Sequence, residues 1–464
     1  MLGSVFSNFG GINTAQINPA LITGSKVYLD VNVVSVNSFF KNDWAYIPKQ
    51  DKNIWEIIKL DTIIPKYGEY KYTGMYTYYD NLNPKTFTQS TRVIGPSAML
   101  QAGQHAFGIG IQTRMVVSAK DIPYEIPLFI YEGLTYDSLQ NVIFDDNDFS
   151  FSSLTWSEVS ASWGYDFHRF YKSKLSFGVN AKLLLGHEGA YSVNKNAKYV
   201  VYDPRTIEFY NYEAEYGMAL PVDYNSEEPI YQNPLVKGYG LGLDVGFVFT
   251  RLKNRFPHRG GRKLCSKPYE EYLYRIGISL LDIGGITFKQ NAQKHNFDNV
   301  SVYWAEFDTL EYHNLNVSMQ QLSQAFYNDP NKSKTDDKIT IGLPTTISLQ
   351  FEGNFIKDIY FAALWIQPIQ FNAKQVRQPS QISIIPRFEN SLFALSLPVS
   401  LLEYEYLSLG AAVRVGPLTV GTERLGVLLG VSDIDGVDIY FSLKFSLSKG
   451  RCSTQNLGAC YSWN

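Results

Sequence analysis

The chain has 464 residues with a formal net charge of −3, 15% aromatic residues (33 Tyr, 29 Phe) and 35 Gly. That composition suits strands and turns more than helices, and the near-balanced charge gives no general attraction to nucleic acid or to an anionic lipid surface. No stretch approaches the roughly 20 consecutive apolar residues a membrane-spanning helix needs, so any membrane role falls to strands or to surface attachment; a mean hydropathy of −0.16 does not oppose strands, which are apolar on one face only.

In chain order, the start MLGSVFSNFGG lacks the basic start and apolar core of a signal peptide, and the chain is read as one whose signal peptide has been removed. From residue 26 onward the dominant signal is alternation with a period of two. Phe107, Ile109 and Ile111 alternate with Gly108, Gly110, Gln112 and Arg114. In 174–186, Leu175, Phe177, Val179, Ala181, Leu183 and Leu185 oppose Lys174, Ser176, Gly178, Asn180 and Lys182. In 238–249, Tyr239, Leu241, Leu243, Val245, Phe247 and Phe249 oppose four glycines and Asp244. Each such run makes one greasy and one polar face, and the runs exceed the 5–6 residues or so usual for a strand in a soluble sandwich.

Fourteen or so candidate strands start near residues 26, 90, 104, 152, 173, 236, 271, 338, 357, 379, 391, 405, 416 and 436. The connections between them alternate. Long ones fall at 41–89, 120–151, 191–235 and 290–337, while GQH (103–105), FYKSK (170–174), GNFIKD (353–358) and FENS (388–391) are short. Short periplasmic turns and long extracellular loops are the pattern of an outer-membrane barrel, and an even strand count with both ends on one side fits it. The expected fold is therefore all-β: a transmembrane antiparallel β-barrel of about 14 strands over 26–448, with an N-terminal segment at 1–25 and a periplasmic tail at 449–464.

Chemistry-bearing clusters are few. The histidines His105, His168, His187, His258, His295 and His313 are scattered, with no Ser, Asp or Cys beside them in a nucleophile motif, so no enzyme is expected. Asp145, Asp146 and Asp148 place carboxylates close enough together for Ca²⁺ but lack the Gly and distal Glu of an EF-hand, and a solvated acidic turn is the alternative. Arg251, Lys253, Arg255, Arg259, Arg262, Lys263 and Lys267 form a basic patch in one connection on the short side, suited to anionic headgroups or an acidic periplasmic partner, or else a plain solvated turn. Cys452 and Cys460, eight apart in the tail, could close a disulfide in an oxidising compartment or remain free thiols.

Residues 8–43, NFGGINTAQINPALITGSKVYLDVNVVSVNSFFKND, contain Asn18-Pro19-Ala20 just before the first strand and a D-x-N-x-x-S-V-N strand from Asp30 to Asn37. With YRIGISLLDIGGI (274–286), LGAAVRVGPLTVGT (409–422) and the closing IYFSLKFSLS, they resemble a Bacteroidota outer-membrane family of unknown function related to FadL-like and PorV-like barrels. The resemblance implies a bacterial outer-membrane location, and residues 1–25 folded into the lumen as a plug or hatch with Asn18, Pro19 and Ala20 as its motif. Gly10, Gly11 and Asn18-Pro19 agree with it, because they supply turns rather than disorder. If the phylum holds, Thr62, Ser138 and Thr309 stand in D-[S/T]-apolar patterns that resemble its O-glycosylation sequon. Inward positions rich in Gly, Ser, Asn, Asp and Lys depart from a lumen built for a fatty chain. The expected function is then a scaffold or accessory subunit of an envelope secretion or assembly complex, in contact with outer-membrane lipids and other envelope proteins. The alternative is a FadL-like transporter or channel for small or hydrophobic solutes.

Overall fold

The computed structural model of the chain describes residues 2–50, 53–59, 77–145, 148–254, 270–307 and 314–448. Fourteen strands pair antiparallel with their neighbours in sequence and close on themselves. They are β1 Val27–Asn42, β2 Lys85–Ile94 continued by Ser97–Ala102, β3 His105–Ile122, β4 Phe149–Phe170, β5 Ser173–Asp203, β6 Gly238–Leu252 and β7 Tyr272–Phe288. Then follow β8 Ile339–Gly342 continued by Thr346–Ile356, β9 Ile359–Pro368, β10 Gln381–Glu389, β11 Phe393–Ser396 continued by Val399–Leu402, β12 Tyr406–Leu409 continued by Ala411–Val415, β13 Leu418–Thr422 and β14 Gly436–Ser448. Pairing of β1 with both β14 and β2 shuts the ring. Closure leaves the barrel wall no free edge, the condition for crossing lipid with strands.

Residue type explains where strands break and turn. Pro96, Pro344 and Pro398 sit in the gaps of β2, β8 and β11, since proline has no N–H for the ladder. Tight connections at one rim use residues with left-handed backbone, Gly103 at φ 62°, Tyr171 at φ 53°, Asp358 at φ 61° and Gly416 at φ 56°. This near rim also receives the chain entering β1 and leaving β14, and the connections at 43–84, 123–148, 204–237 and 289–338 lie at the far rim as the spacing predicts, with the long 253–271 connection on the near rim and the short 403–405 turn on the far rim as exceptions.

The two faces of the wall are inverted relative to a soluble protein. Ile109 is 67% exposed and Leu241 72%, with Leu183, Phe247 and Ile278 exposed alongside them, while Arg114, Glu158, Asp166, Lys182 and Asp244 are buried. From Leu175 to Leu185 the outward apolar residues of β5 cover ten intervals, which at ~3.3 Å each and a tilt of ~40° make a belt of roughly 25 Å. That is the height of a lipid-facing band.

Above the belt the sheet continues where the sequence reads as loop. β5 runs 31 residues, and its upper part pairs with a Thr206–Ala219 strand that in turn pairs with Ala292–Trp304. Buried Ala197, Tyr212, Ala214, Phe297 and Val300 pack there with Met319, Leu322 and Phe326 of the Leu315–Tyr327 helix. The expected loops at 191–235 and 290–337 are therefore partly an extra-membrane sheet with its own small core.

Candidate functional site

The face opposite the belt is lined by polar residues along much of its height, and it is filled in three layers. In the lowest, residues Leu2 to Gly24 form short helical turns, Leu2–Val5, Gly11–Gln16 and Pro19–Gly24, and are almost wholly buried. Asn18 caps the last turn, its Oδ1 accepting from the Ala20 amide at 2.9 Å, and Pro19 occupies the first helical position, where a missing N–H costs nothing. Asn18 Nδ2 donates to the carbonyls of Phe247 and Ile278 at 3.1 and 3.2 Å and to Gln350 Oε1 at 2.9 Å, thereby tying β6, β7 and β8 to one side chain.

Glycine makes that approach possible. A Cβ on Gly178 would collide with the Pro19–Ala20 backbone, and one on Gly246 with the Asn18 side chain, so these inward glycines are a cradle cut for the Asn-Pro-Ala turn. The D-x-N-x-x-S-V-N strand has a matching task. Asp30 accepts from the Ile12 amide at 3.0 Å, and Gly11, at φ 55°, lies where any side chain would overlap Asp30. Farther along, the Asn8 amide donates to Glu389 at 3.0 Å and the Leu2 amide to Glu423 at 2.7 Å.

The middle layer is a network of charges at inward parity. Arg114 makes a two-pronged pair with Asp282 at 2.8 and 2.9 Å. Lys182 bridges Asp244 at 2.8 Å and Asp282 at 2.6 Å. Glu158 accepts from Trp156 Nε1 at 3.0 Å and from Gln112, and Arg114 lies over the Trp156 ring at 4.7 Å. Asp282 reaches this position through a bulge, because Leu281 and Asp282 on β7 together oppose Asp244 alone on β6, and Asp282 takes φ 55°. The extra residue re-aims a carboxylate that simple alternation from Ser279 would point at lipid. A second network lies nearer the near rim, where Glu352 accepts from Arg387 at 2.7 Å and Tyr272 at 2.6 Å. Tyr272 points inward, where the β6–β7 register shifts beside it.

The top layer is apolar. Val116, Leu154, Trp156, Leu184, Ile286, Phe288, Ile339 and Ile341 turn inward and enclose Val376, which belongs to the 369–380 connection between β9 and β10. That connection crosses the mouth. Val376 N bonds to Gly342 O at 3.2 Å, Gln375 Nε2 to Leu343 O at 2.7 Å and Arg377 N to Ser118 Oγ at 3.0 Å, while Lys374 pairs with Glu215 at 2.6 Å and Arg377 with Glu403 at 2.6 Å. The inward parity expected to be rich in Gly, Ser, Asn, Asp and Lys thus gives way to apolar residues at this end.

Among the described residues, hollows remain between the layers, two of them against Arg92. One of about 50 Å³ is bounded by Asn13, Gln16, Arg92, Arg114, Lys182 and Asp282. The other, about 170 Å³, reaches from Gln16, Arg92 and Asp282 to Glu423 and Asp438.

Of the residues singled out in the sequence, Asn18, Pro19 and Ala20 come together with the barrel wall as described. Asp145 is ion-paired with Lys198 at 3.0 Å, Asp148 is exposed, and Asp146 lies outside the described residues; among those described, no three His, Cys, Asp or Glu side chains gather as a metal site would require. Arg251 donates to Ser173 at 2.8 Å and Lys253 to Asn354, whereas Arg255, Arg259, Arg262, Lys263 and Lys267 are outside the described residues. So are Thr62, Thr309, Cys452 and Cys460; Ser138 is exposed in a short turn. His187 meets Ser157 at 2.8 Å, but its other nitrogen faces the Leu235 carbonyl rather than a carboxylate. Arg92, Glu158 and Asp282 were missed as a group. Their only sequence signal was charge within apolar, alternating runs, and which strands would bring them together was not readable.

A search of solved structures finds outer-membrane barrels at great distance. The toluene transporter TbuX of Ralstonia pickettii is 10% identical, covering 95% of each chain with a TM-score of 0.38. The toluene transporter TodX of P. putida is 9% identical over 94% of this chain and 95% of its own, with a TM-score of 0.38, and a Pseudomonas aeruginosa FadL homologue is 10% identical over 96% and 95%, with a TM-score of 0.37. At those values the likeness carries nothing about substrate. No curated protein matches the chain. A family model does, across most of the barrel from Pro19 of the Asn-Pro-Ala turn onward: over residues 19–423 the chain belongs to the family of unknown function DUF5723.

Proposed function

We propose that this protein is a gated channel or transporter for small solutes in a bacterial outer membrane, with residues 1–25 acting as a plug in its lumen. The observation that carries this reading is a closed barrel whose inner face is charged and hollowed, and which holds a chain segment by side-chain hydrogen bonds and not by strand pairing. Bonds of that kind contribute about 0.5–1.5 kcal/mol each, more where a charge takes part. Apolar packing of Leu2, Phe6, Ile17 and Leu21 against Val248, Leu364 and Ile385, at about 1.5–3 kcal/mol for each large side chain, adds to the hold, so opening means moving the segment as a unit while the wall, with its backbone groups paired strand to strand, stays intact. The reading needs lipid around the belt as its partner and contains no catalytic step.

The test is solute influx into liposomes, with planar-bilayer conductance on the same preparation, for the full chain and for a variant lacking residues 2–25. Deletion is expected to raise both; unchanged influx and conductance in a variant that still folds would count against the plug and against the path it is meant to close.

A second reading, an accessory subunit of an envelope complex, is favoured by the sheet and helix that project beyond the far rim, a surface larger than solute passage requires. Purification from native membranes in mild detergent separates the two. Stoichiometric partners with a silent bilayer support the subunit, and a lone protein with discrete conductance events supports the channel.

A further inference from the structure

Arg92, on β2, stands where the two hollows meet and lines both. The other two cations of the middle layer have carboxylates close by, Arg114 at 2.8 Å and Lys182 at 2.6 and 2.8 Å. Among the described residues Arg92 makes no such ion pair. Its guanidinium donates to a neutral group, Gln16 Oε1, at 2.7 Å, and Gln16 is the last residue of the Gly11–Gln16 turn in the N-terminal segment. The acids that share the larger hollow are already engaged. Asp282 takes Arg114 and Lys182, Asp438 accepts from Asn37 at 2.9 Å and from the Glu423 amide at 2.7 Å, and Glu423 accepts from the Leu2 amide.

The larger hollow is therefore polarised. At one end Arg92 stands beside Asp282, whose charge is taken up by Arg114 and Lys182, at the other stand Glu423 and Asp438, and the wall between carries Ile17, Leu281, Ile366 and Leu402. Its volume of about 170 Å³ is of the size that accepts one benzene-sized body, for which about 150 Å³ suffices, and is too small for a long acyl chain.

Resting on the transport reading above and deepening it, we propose that this hollow is a binding site for a small organic monocarboxylate. The carboxylate pairs with Arg92 in place of Gln16, and the compact apolar body lies along Ile17, Leu281, Ile366 and Leu402, with Glu423 and Asp438 repelling the reverse orientation. A guanidinium–carboxylate pair is stronger than a guanidinium–amide bond, so binding removes one of the ties that hold the N-terminal segment to the wall. The ligand in the site thus loosens the segment that blocks its own way.

The experiment titrates the full chain in detergent with benzoate, and with benzamide as its uncharged isostere, by calorimetry. Benzoate is expected to bind saturably, and both Arg92→Gln and the change from benzoate to benzamide are expected to weaken binding by about tenfold or more, the value of a charged hydrogen bond. Gln16→Ala frees the guanidinium and is expected to tighten benzoate binding several-fold, so the two variants move in opposite directions even if one of them folds poorly; circular dichroism and heat-modifiable migration check both. Equal benzoate affinity in Arg92→Gln, equal binding of benzamide, or no benzoate binding to either the full chain or Gln16→Ala overturns the site. Liposome flux of the same compounds separates this from the transport reading. Binding that depends on Arg92 without flux keeps the site and removes the path, and flux without Arg92-dependent binding keeps the path and removes the site.

Discussion

Asp282 concentrates the electrostatics of the lumen in one side chain, since it holds Arg114 with both oxygens and Lys182 with one. Replacing one partner of a buried ion pair leaves the other charge uncompensated, at a cost of about 3–5 kcal/mol. Asn keeps the shape of Asp and is at ease at positive φ, so Asp282→Asn tests the charge without adding backbone strain. It is expected to lower stability by that amount in reversible urea unfolding from thin lipid vesicles, and a loss near zero would mean that Asp244 and Glu158 alone suffice for the two cations. His295 makes a separate prediction outside the membrane. Burial, with a smaller contribution from nearby Lys334, pushes its pKa from the ordinary 6.5 down to about 4, and a neutral ring suits its contacts with Ser333 at 3.0 Å and Gln293 at 3.3 Å. Because the folded value is the lower one, the unfolded chain takes up the proton first as pH falls, so stability is lost between about pH 6.5 and 4. Hydrogen exchange at the amides of 292–304 is expected to show protection falling over that window, and His295→Gln to flatten the fall; an identical profile in the variant would assign the effect to another group.

At the scale of elements, the strands were readable because one solvent is lipid and the other is the lumen, and residue 175 differs from 176 accordingly along the lower part of β5, to Leu185. Strands expected near 26, 104, 173, 271 and 436 begin at Val27, His105, Ser173, Tyr272 and Gly436. What was not readable depends on pairs. Gly178 looks like any inward small residue until Ala20 is placed against it, and the bulge that turns Asp282 inward is a property of β6 and β7 together. The upper part of β5 was taken for loop because its polar and aromatic residues fit no lipid-facing pattern, although Ala197, Tyr199 and Val201 still alternate inward onto a local core. The belt itself makes a depth prediction. Val245 lies at mid-belt on the outward face, and Thr287, also outward, lies above it near the Thr340 hydroxyl. Val245→Arg is expected to cost roughly 2–4 kcal/mol and Thr287→Arg no more than ~1, measured by the same vesicle unfolding. Equal costs would place the belt at the wrong height. The inward positions are poor controls, since Gly178→Arg meets the Asn-Pro-Ala turn and Asp244→Arg breaks the pair with Lys182.

Taken whole, the proposed channel has two closures in series, the N-terminal segment in the lower lumen and the 369–380 connection with its apolar seat at the far mouth. Resistances in series add, so the narrower closure limits the current and opening either one alone yields less than opening both. The far closure is fastened by Val376 in its apolar pocket and by the Lys374–Glu215 and Arg377–Glu403 pairs. Partly exposed pairs of this kind contribute about 0–1 kcal/mol each, and the burial of one valine about 1.5–3 kcal/mol, so the valine is the stronger fastening. Val376→Ser combined with deletion of residues 2–25 is therefore expected to raise conductance by more than the product of the two separate increases. A merely multiplicative result would mean that the closures do not lie on one path. An increase from Val376→Ser alone, with none from the deletion, would identify the far mouth as the limiting constriction and leave the N-terminal segment as part of the wall.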